Sequence, residues 1–141
     1  MSFYLDTSVV VPLFLNEENS FIAKSYIGST REPLVYSHLV AGELNSAISR
    51  HERMGVLSVD QAETIREGAA TWLQSSVFCA AIDDEDIETA SRLVAHPRPK
   101  LLMPDAIHLL VCARLSHTLV TFDTDLLAIA RREGIAAVMP E

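Results

Sequence analysis

Four acidic residues stand where a soluble chain rarely places a charge. Asp6 follows the apolar stretch "FYL" directly, and Asp123 closes "LVTFD". Glu43 lies four residues after Leu39, three after Val40 and four before Ala47, which points it from the apolar stripe of a helix rather than its wet face. Asp105 has Leu109 at i+4 and Cys112 three further on. A buried carboxylate costs several kcal/mol unless it is paired, and few cations lie near these four in sequence. Either the four are protonated or they share a positive ion. Mg²⁺ suits the second case, being a hard ion held by a few carboxylates with water completing its shell. Each acid also has an ordinary reading. Asp6 and Asp123 fit as caps of the helices that follow, Asp105 as a first-turn acid after Pro104, and Glu43 as a surface residue if the helix phase is shifted.

The elements that must carry these residues follow from pattern. Residues 2–5, 34–36, 77–82, 117–121 and 135–139 read as short apolar strands. Helices are expected over 9–15, with Pro12 in its first turns, and over 20–27, closed by Gly28. Ser37 and Ser58 are expected to cap helices over 38–53 and 58–75. Further helices fit 83–95, 103–115 and 124–132, the last ended by Gly134. The acids of "DDED" at 83–86 read as solvated cap charges rather than metal ligands. Strands alternating with helices predict a parallel sheet covered on both faces. Sites in such sheets form beyond the carboxyl ends of the strands, where Asp6 and Asp123 fall. The four acids are separated by stretches longer than the dozen or so residues of a calcium loop, so only a fold can gather them.

The 141 residues suit one domain spanning 1–141. No apolar run approaches the ~20 residues needed to cross a bilayer, and no basic and apolar leader pattern opens the chain. Cys79 and Cys112 read as two buried thiols of a reducing compartment, which points to the cytoplasm. The net charge of −8 argues against a module whose main task is to grip a phosphate backbone. It leaves room for an enzyme that meets nucleic acid through bound cations, or for a basic protein partner.

The pieces "FYLDTSVVV" (3–11), "AGELNSA" (41–47), "MPDAIHLLVCA" (103–113) and "LVTFDTDLLAIA" (119–130) together resemble a PIN domain, and within that family a VapC-type toxin ribonuclease of a toxin–antitoxin pair. Each piece alone is weak, but they come in the family's order across nearly the whole chain. The resemblance implies an α/β/α three-layer sandwich with a mostly parallel central sheet, and an acidic pocket that binds Mg²⁺ or Mn²⁺. By position the family's acids fall on Asp6, Glu43, Asp105 and Asp123. Thr7, Ser8 and Thr121 match its polar supporting positions. Asp125 is a second candidate near the fourth acid and ranks below Asp123. Phe122 departs from the pattern, standing where a polar residue is often found. The resemblance also implies an RNA substrate, a VapB-type antitoxin partner and a homodimer.

Such chemistry needs an activated water and neutralised phosphoryl oxygens, which metal ions supply. Asp6 and Asp105 are the expected main ligands, with Glu43 and Asp123 completing the site. No serine or cysteine nucleophile is needed. His108, one turn after Asp105, reads as a packed core histidine, with a place at the border of the site as the alternative. Arg92, His96, Arg98 and Lys100 form the one acid-free basic stretch and are candidates for flanking phosphates or for a plain solvated loop. Arg131 and Arg132 read as charges at the end of their helix. Val10, Leu13, Phe14, Phe21, Ile22 and Tyr26 belong either to the core or to a groove for a partner helix. Three rivals remain in view. A haloacid-dehalogenase-like enzyme wants Asp-x-Asp, and position 8 is Ser8. A receiver-like domain wants an acidic pair after its first strand, and Asp6 is single. A non-catalytic RNA- or protein-binding PIN-like module has no reason to keep four costly acids.

Overall fold

The computed structural model describes residues 1–141. Its five strands are β1 (Phe3–Leu5), β2 (Leu34–Ser37), β3 (Phe78–Ala80), β4 (Thr118–Val120) and β5 (Ala137–Val138). They pair in the order β3-β2-β1-β4-β5, every pair parallel. All are short, because a sheet covered on both faces takes brief apolar runs rather than long alternating ones. The seven helices are α1 (Thr7–Phe14), α2 (Ser20–Ser29), α3 (His38–Arg53), α4 (Val59–Ser76), α5 (Asp84–Val94), α6 (Met103–Leu115) and α7 (Thr124–Arg132).

The chain moves one way across the sheet from β1 to β3, then returns past β1 to β4 and β5. Right-handed crossovers therefore place α1–α4 on one face and α5–α7 on the other. This is the α/β/α layering expected from the sequence. The strand order reverses beside β1, so a crevice forms beyond the carboxyl ends of β1 and β4. Leu5 pairs with Val120 in register, and the Asp6 amide donates to the Val120 carbonyl at 3.2 Å. Asp6 and Thr121 are thus neighbours by backbone pairing alone.

One cluster of 27 buried residues joins the layers, with Tyr4, Leu5, Val9, Val40, Leu44 and Leu109 among its fully enclosed members. Val10 belongs to it, whereas Phe21 is 80% exposed.

Several local expectations need correction. Gly28 does not close α2; the helix runs on to Ser29, and the Thr30 amide still reaches the Tyr26 carbonyl. Helix α1 starts at Thr7, directly on the end of β1, which places Pro12 beyond the first turn. Ser37 occupies the cap position of α3, but its hydroxyl turns to Tyr4 instead. Ser58 does cap α4, in a reciprocal pair with Gln61. Gly55 and Gly134 end α3 and α7 with φ of +74° and +73°, a backbone that glycine adopts without steric penalty. Of the two thiols only Cys112 is buried, while Cys79 is exposed on the edge strand β3. The "DDED" acids are not all solvated. Asp86 is buried, bonds the Asp83 amide at 2.9 Å and meets Arg114 of α6 at 2.8 Å. Arg114 also reaches Asp83 and the Ala81 carbonyl, pinning the start of α5 to α6.

Candidate active site

Asp6 is 3% exposed. It sits at the cap position of α1, yet its side chain bonds no amide of that helix. Its two oxygens accept from two hydroxyls instead, Oδ1 from Ser8 and Oδ2 from Thr121, each at 2.6 Å. Both hydroxyls are themselves fixed. Ser8 Oγ accepts from the Phe122 amide at 2.9 Å, and Thr121 Oγ1 accepts from the Asp123 amide at 3.0 Å. Burial pushes Asp6 up to about 6, against the downward pull of these two bonds.

Glu43 lies one position before the buried Leu44 on α3, so it leaves the helix at the edge of the packed stripe. Its Oε1 accepts from Thr7 at 2.6 Å and contacts His108 Nε2 at 2.8 Å. Burial raises Glu43, but the hydrogen bonds from His108 and Thr7 outweigh it and hold the carboxyl below its usual range. The sequence showed few cations near these acids; the fold supplies an imidazole from α6. His108 is a core histidine, 1% exposed, and it also touches the site. Behind it, Tyr4 Oη contacts His108 Nδ1 at 2.8 Å and Ser37 Oγ at 2.7 Å.

Asp105 is half-buried in the first turn of α6 and takes no hydrogen bond from the protein. Burial raises it, and the charges of Asp123 and Glu43 push it up further. Asp105 in turn raises Asp6. Asp105 is thus near enough to each of the other three acids for their charges to act on one another. Asp123 keeps the capping role foreseen for it, its Oδ1 accepting from the Asp125 and Leu126 amides at 2.9 Å. Its Oδ2 is left without a protein partner. The capping and pocket readings of Asp123 are therefore both realised, by different oxygens.

Asp125 faces another way. It lines a cleft of about 350 Å³ along α7 with Lys100 and Arg132, while Pro99, Ala128 and Ile129 form its walls. Of the basic stretch, Arg92 is turned onto Glu88 at 2.7 Å within α5, and Arg98 and Lys100 lie in the loop between α5 and α6.

The donor set is all hard oxygen, and Asp105 has no other partner, which suits Mg²⁺ or Mn²⁺ rather than a soft metal. No three His, Cys, Asp or Glu side chains are drawn close enough to encase an ion directly. The set therefore fits a largely hydrated cation, held by one or two carboxylates with the others acting through water, as Mg²⁺ is commonly bound.

A family model, the PIN domain, matches residues 3–132. This chain belongs to the PIN-domain family. Among solved structures, this PIN domain is similar to the Mycobacterium tuberculosis toxin VapC20, described as cleaving the sarcin–ricin loop, at 22% identity and TM-score 0.76, covering 99% of this chain and all of that one. It is also similar to VapBC2 from Rickettsia felis bound to a promoter DNA fragment, at 13% identity and TM-score 0.72 over the whole of both chains. VapBC-1 from nontypeable Haemophilus influenzae matches at 14% identity and TM-score 0.67, over 99% of this chain and 98% of that one. At these identities the likeness is one of fold. No curated protein sequence matches.

Tyr4 and Ser37 were not foreseen as neighbours of the site. The available signal was a tyrosine two residues before Asp6 and a histidine three after Asp105, both on apolar faces that require a polar partner.

Proposed function

We propose that this chain is a divalent-metal-dependent endoribonuclease, working as one PIN domain and serving as the toxin of a type II toxin–antitoxin pair in the cytoplasm. The observation that supports the reading is that Asp6, Glu43 and Asp123, from three distant segments, each exchange charge influence with Asp105 around the switch point of a parallel sheet. Four like charges in one crevice oppose folding, and a site that hydrolyses phosphodiesters is a physical reason to keep them.

Asp6 and Asp105 would be the main holders of Mg²⁺ or Mn²⁺, with Glu43 and Asp123 orienting its water shell. When bound, the ion supplies Lewis-acid stabilisation of the phosphoryl oxygens and acidifies a water. The chain does the positioning. Ser8 and Thr121 clamp both Asp6 oxygens. Thr7 and His108 hold Glu43 by one oxygen and leave Oε2 to accept a proton or a water. The α7 cap fixes Asp123 by Oδ1. No hydroxyl or thiol attacks, because Ser8 and Thr121 spend their protons on Asp6.

Lys100, in the cleft beside Asp125, is the cation best placed to hold a flanking phosphate, with Arg98 in the same loop; Arg132 lines the same cleft but is paired with Glu133 at 3.1 Å. Arg92 contributes less, being paired with Glu88. An apolar groove of about 300 Å³ between α1, α2 and α4, lined by Leu13, Phe14, Ile27 and Trp72, would take a helix of a VapB-type antitoxin, and a homodimer is the expected assembly. The exposed thiol of Cys79 suits a reducing compartment. Purified protein incubated with total RNA and Mg²⁺ should yield discrete internal cuts that EDTA abolishes and that Asp6→Asn does not produce. Binding of RNA with no cutting under any divalent metal would leave the non-catalytic reading.

A further inference from the structure

Behind Glu43 stands a line of buried polar groups drawn from four elements: Ser37 at the end of β2, Tyr4 in β1, His108 in α6 and Glu43 in α3. The links measure 2.7, 2.8 and 2.8 Å. Ser37, Tyr4 and His108 are all within 1% of complete burial, so no water competes for their protons. We propose that Tyr4 is a positioning residue which, backed by Ser37, anchors the His108 ring at Nδ1 so that its Nε2–H keeps its aim on Glu43 Oε1 and fixes that carboxylate for the reaction. The inference rests on the ribonuclease reading above for its catalytic consequence, but not for its proton arrangement.

The donors can be counted. An ionised carboxylate only accepts, so the proton in the 2.8 Å contact belongs to Nε2. In a neutral imidazole Nδ1 is then an acceptor, and the Tyr4 hydroxyl must donate to it. Tyr4 Oη is left as the acceptor for the Ser37 hydroxyl. From the other side Thr7 donates to the same Glu43 oxygen at 2.6 Å. Every proton in the line has one destination. The other neutral tautomer would set a bare Nε2 against a carboxylate oxygen, two acceptors in contact, and would push Glu43 off its place. Glu43 therefore selects the tautomer, and the tyrosine hydroxyl supplies the anchor at Nδ1 that holds the ring in place. Groups that orient an active-site ligand from behind typically change activity by about 10–100-fold when removed.

The first test needs neither metal nor substrate. Nitrogen-15 NMR of the His108 ring in protein kept in EDTA should show Nε2 protonated and Nδ1 bare in the wild type, and in Tyr4→Phe the same tautomer with the Nδ1 signal moved toward that of a ring nitrogen without a hydrogen bond. A wild-type ring protonated at Nδ1, or a ring unchanged in Tyr4→Phe, overturns the proposal. The second test is kinetic, run well below the melting temperature of each variant. Tyr4→Phe should lower kcat on RNA about tenfold with KM within twofold, and Ser37→Ala, which loses only the outer donor, should lower it less. In a Glu43→Gln background the loss of the tyrosine hydroxyl should add little, because the two act as one unit. A structural role alone would reduce the folded fraction and leave the kcat of the folded enzyme intact, and that result also overturns the proposal. A wild type that cuts no RNA refutes the ribonuclease reading instead, with the NMR result still deciding the tautomer.

Discussion

Thr121 and Asp6, 115 residues apart in sequence, meet at 2.6 Å across the switch point of the sheet. The backbone makes the meeting unavoidable, since Leu5 pairs with Val120 and the next residue on each strand must lie alongside. Thr121 is fully buried and serves two acids, donating to Asp6 and accepting from the Asp123 amide. Thr121→Val keeps the shape and removes both bonds. It should destabilise the fold by about 1–3 kcal/mol, the usual effect of stranding buried hydrogen-bonding groups. It should also lower RNA cleavage about tenfold. Urea melts and cleavage rates on the same preparation check both.

Asp6 itself should oppose folding at neutral pH in metal-free protein. Burial raises its folded pKa to about 6, from an ordinary value of 3.8. Between those values the folded state holds the proton that the unfolded state releases. Stability is therefore lost as pH rises through this window, and the full penalty of about 3 kcal/mol stands above it. Asp6→Asn removes the charge, although its amide must find new partners among Ser8 and Thr121, which offsets part of the gain. With EDTA present, urea melts should show the variant about 1–2 kcal/mol more stable than wild type at pH 8. Toward pH 4 the difference should vanish. Its cleavage of RNA should fall by at least 100-fold, as is usual when a direct ligand of a catalytic metal is lost.

The Arg114–Asp86 pair makes the opposite prediction. Although burial alone would raise Asp86, the Arg114 bonds and the Asp83 amide outweigh it and hold the carboxyl below its usual range. Its contribution is present above the ordinary carboxylate pKa and is lost as pH falls through the depressed one. Arg114→Leu leaves a buried carboxylate unpaired and should cost about 2–4 kcal/mol, with kcat unchanged at temperatures where the variant is folded. Adding Asp86→Leu should restore much of the loss. Thermal melts of the three variants at pH 7 decide it.

Much of this was legible in the sequence, and the misses have a common cause. Element types came through because short apolar strands and capped helices leave strong local patterns, as at Ser58 with Gln61. The four acids could be named because a carboxylate on an apolar face contradicts its surroundings. What the chain hid were side-chain partners supplied by the tertiary fold. Ser37 looks like a helix cap, and only the pairing of β1 with β2 shows that its hydroxyl belongs to Tyr4. Asp86 looks like a solvated acid, and only the packing of α5 on α6 brings Arg114 to it. Asp125 looks like a fourth-site candidate two residues from Asp123, yet it lies on the face of α7 that carries Arg132.

That face carries a test of the proposed RNA binding. Lys100→Ala should raise KM about three- to tenfold with kcat little changed, and Arg132→Ala should act in the same direction but less, because that guanidinium already pairs with Glu133. Lys100→Ala should also reduce the dependence of binding on salt by roughly one released counterion. Arg92→Ala should have a smaller effect, because that guanidinium already serves Glu88. Cleavage kinetics across a salt series measure all three.

The central claim is that Asp6, Glu43, Asp105 and Asp123 form one cation site at the carboxyl ends of β1 and β4. An anomalous difference map from crystals soaked in Mn²⁺ tests it most directly. The account predicts the strongest peak among these four carboxylates. A strongest peak elsewhere, with no density among the four at saturating Mn²⁺, would contradict it.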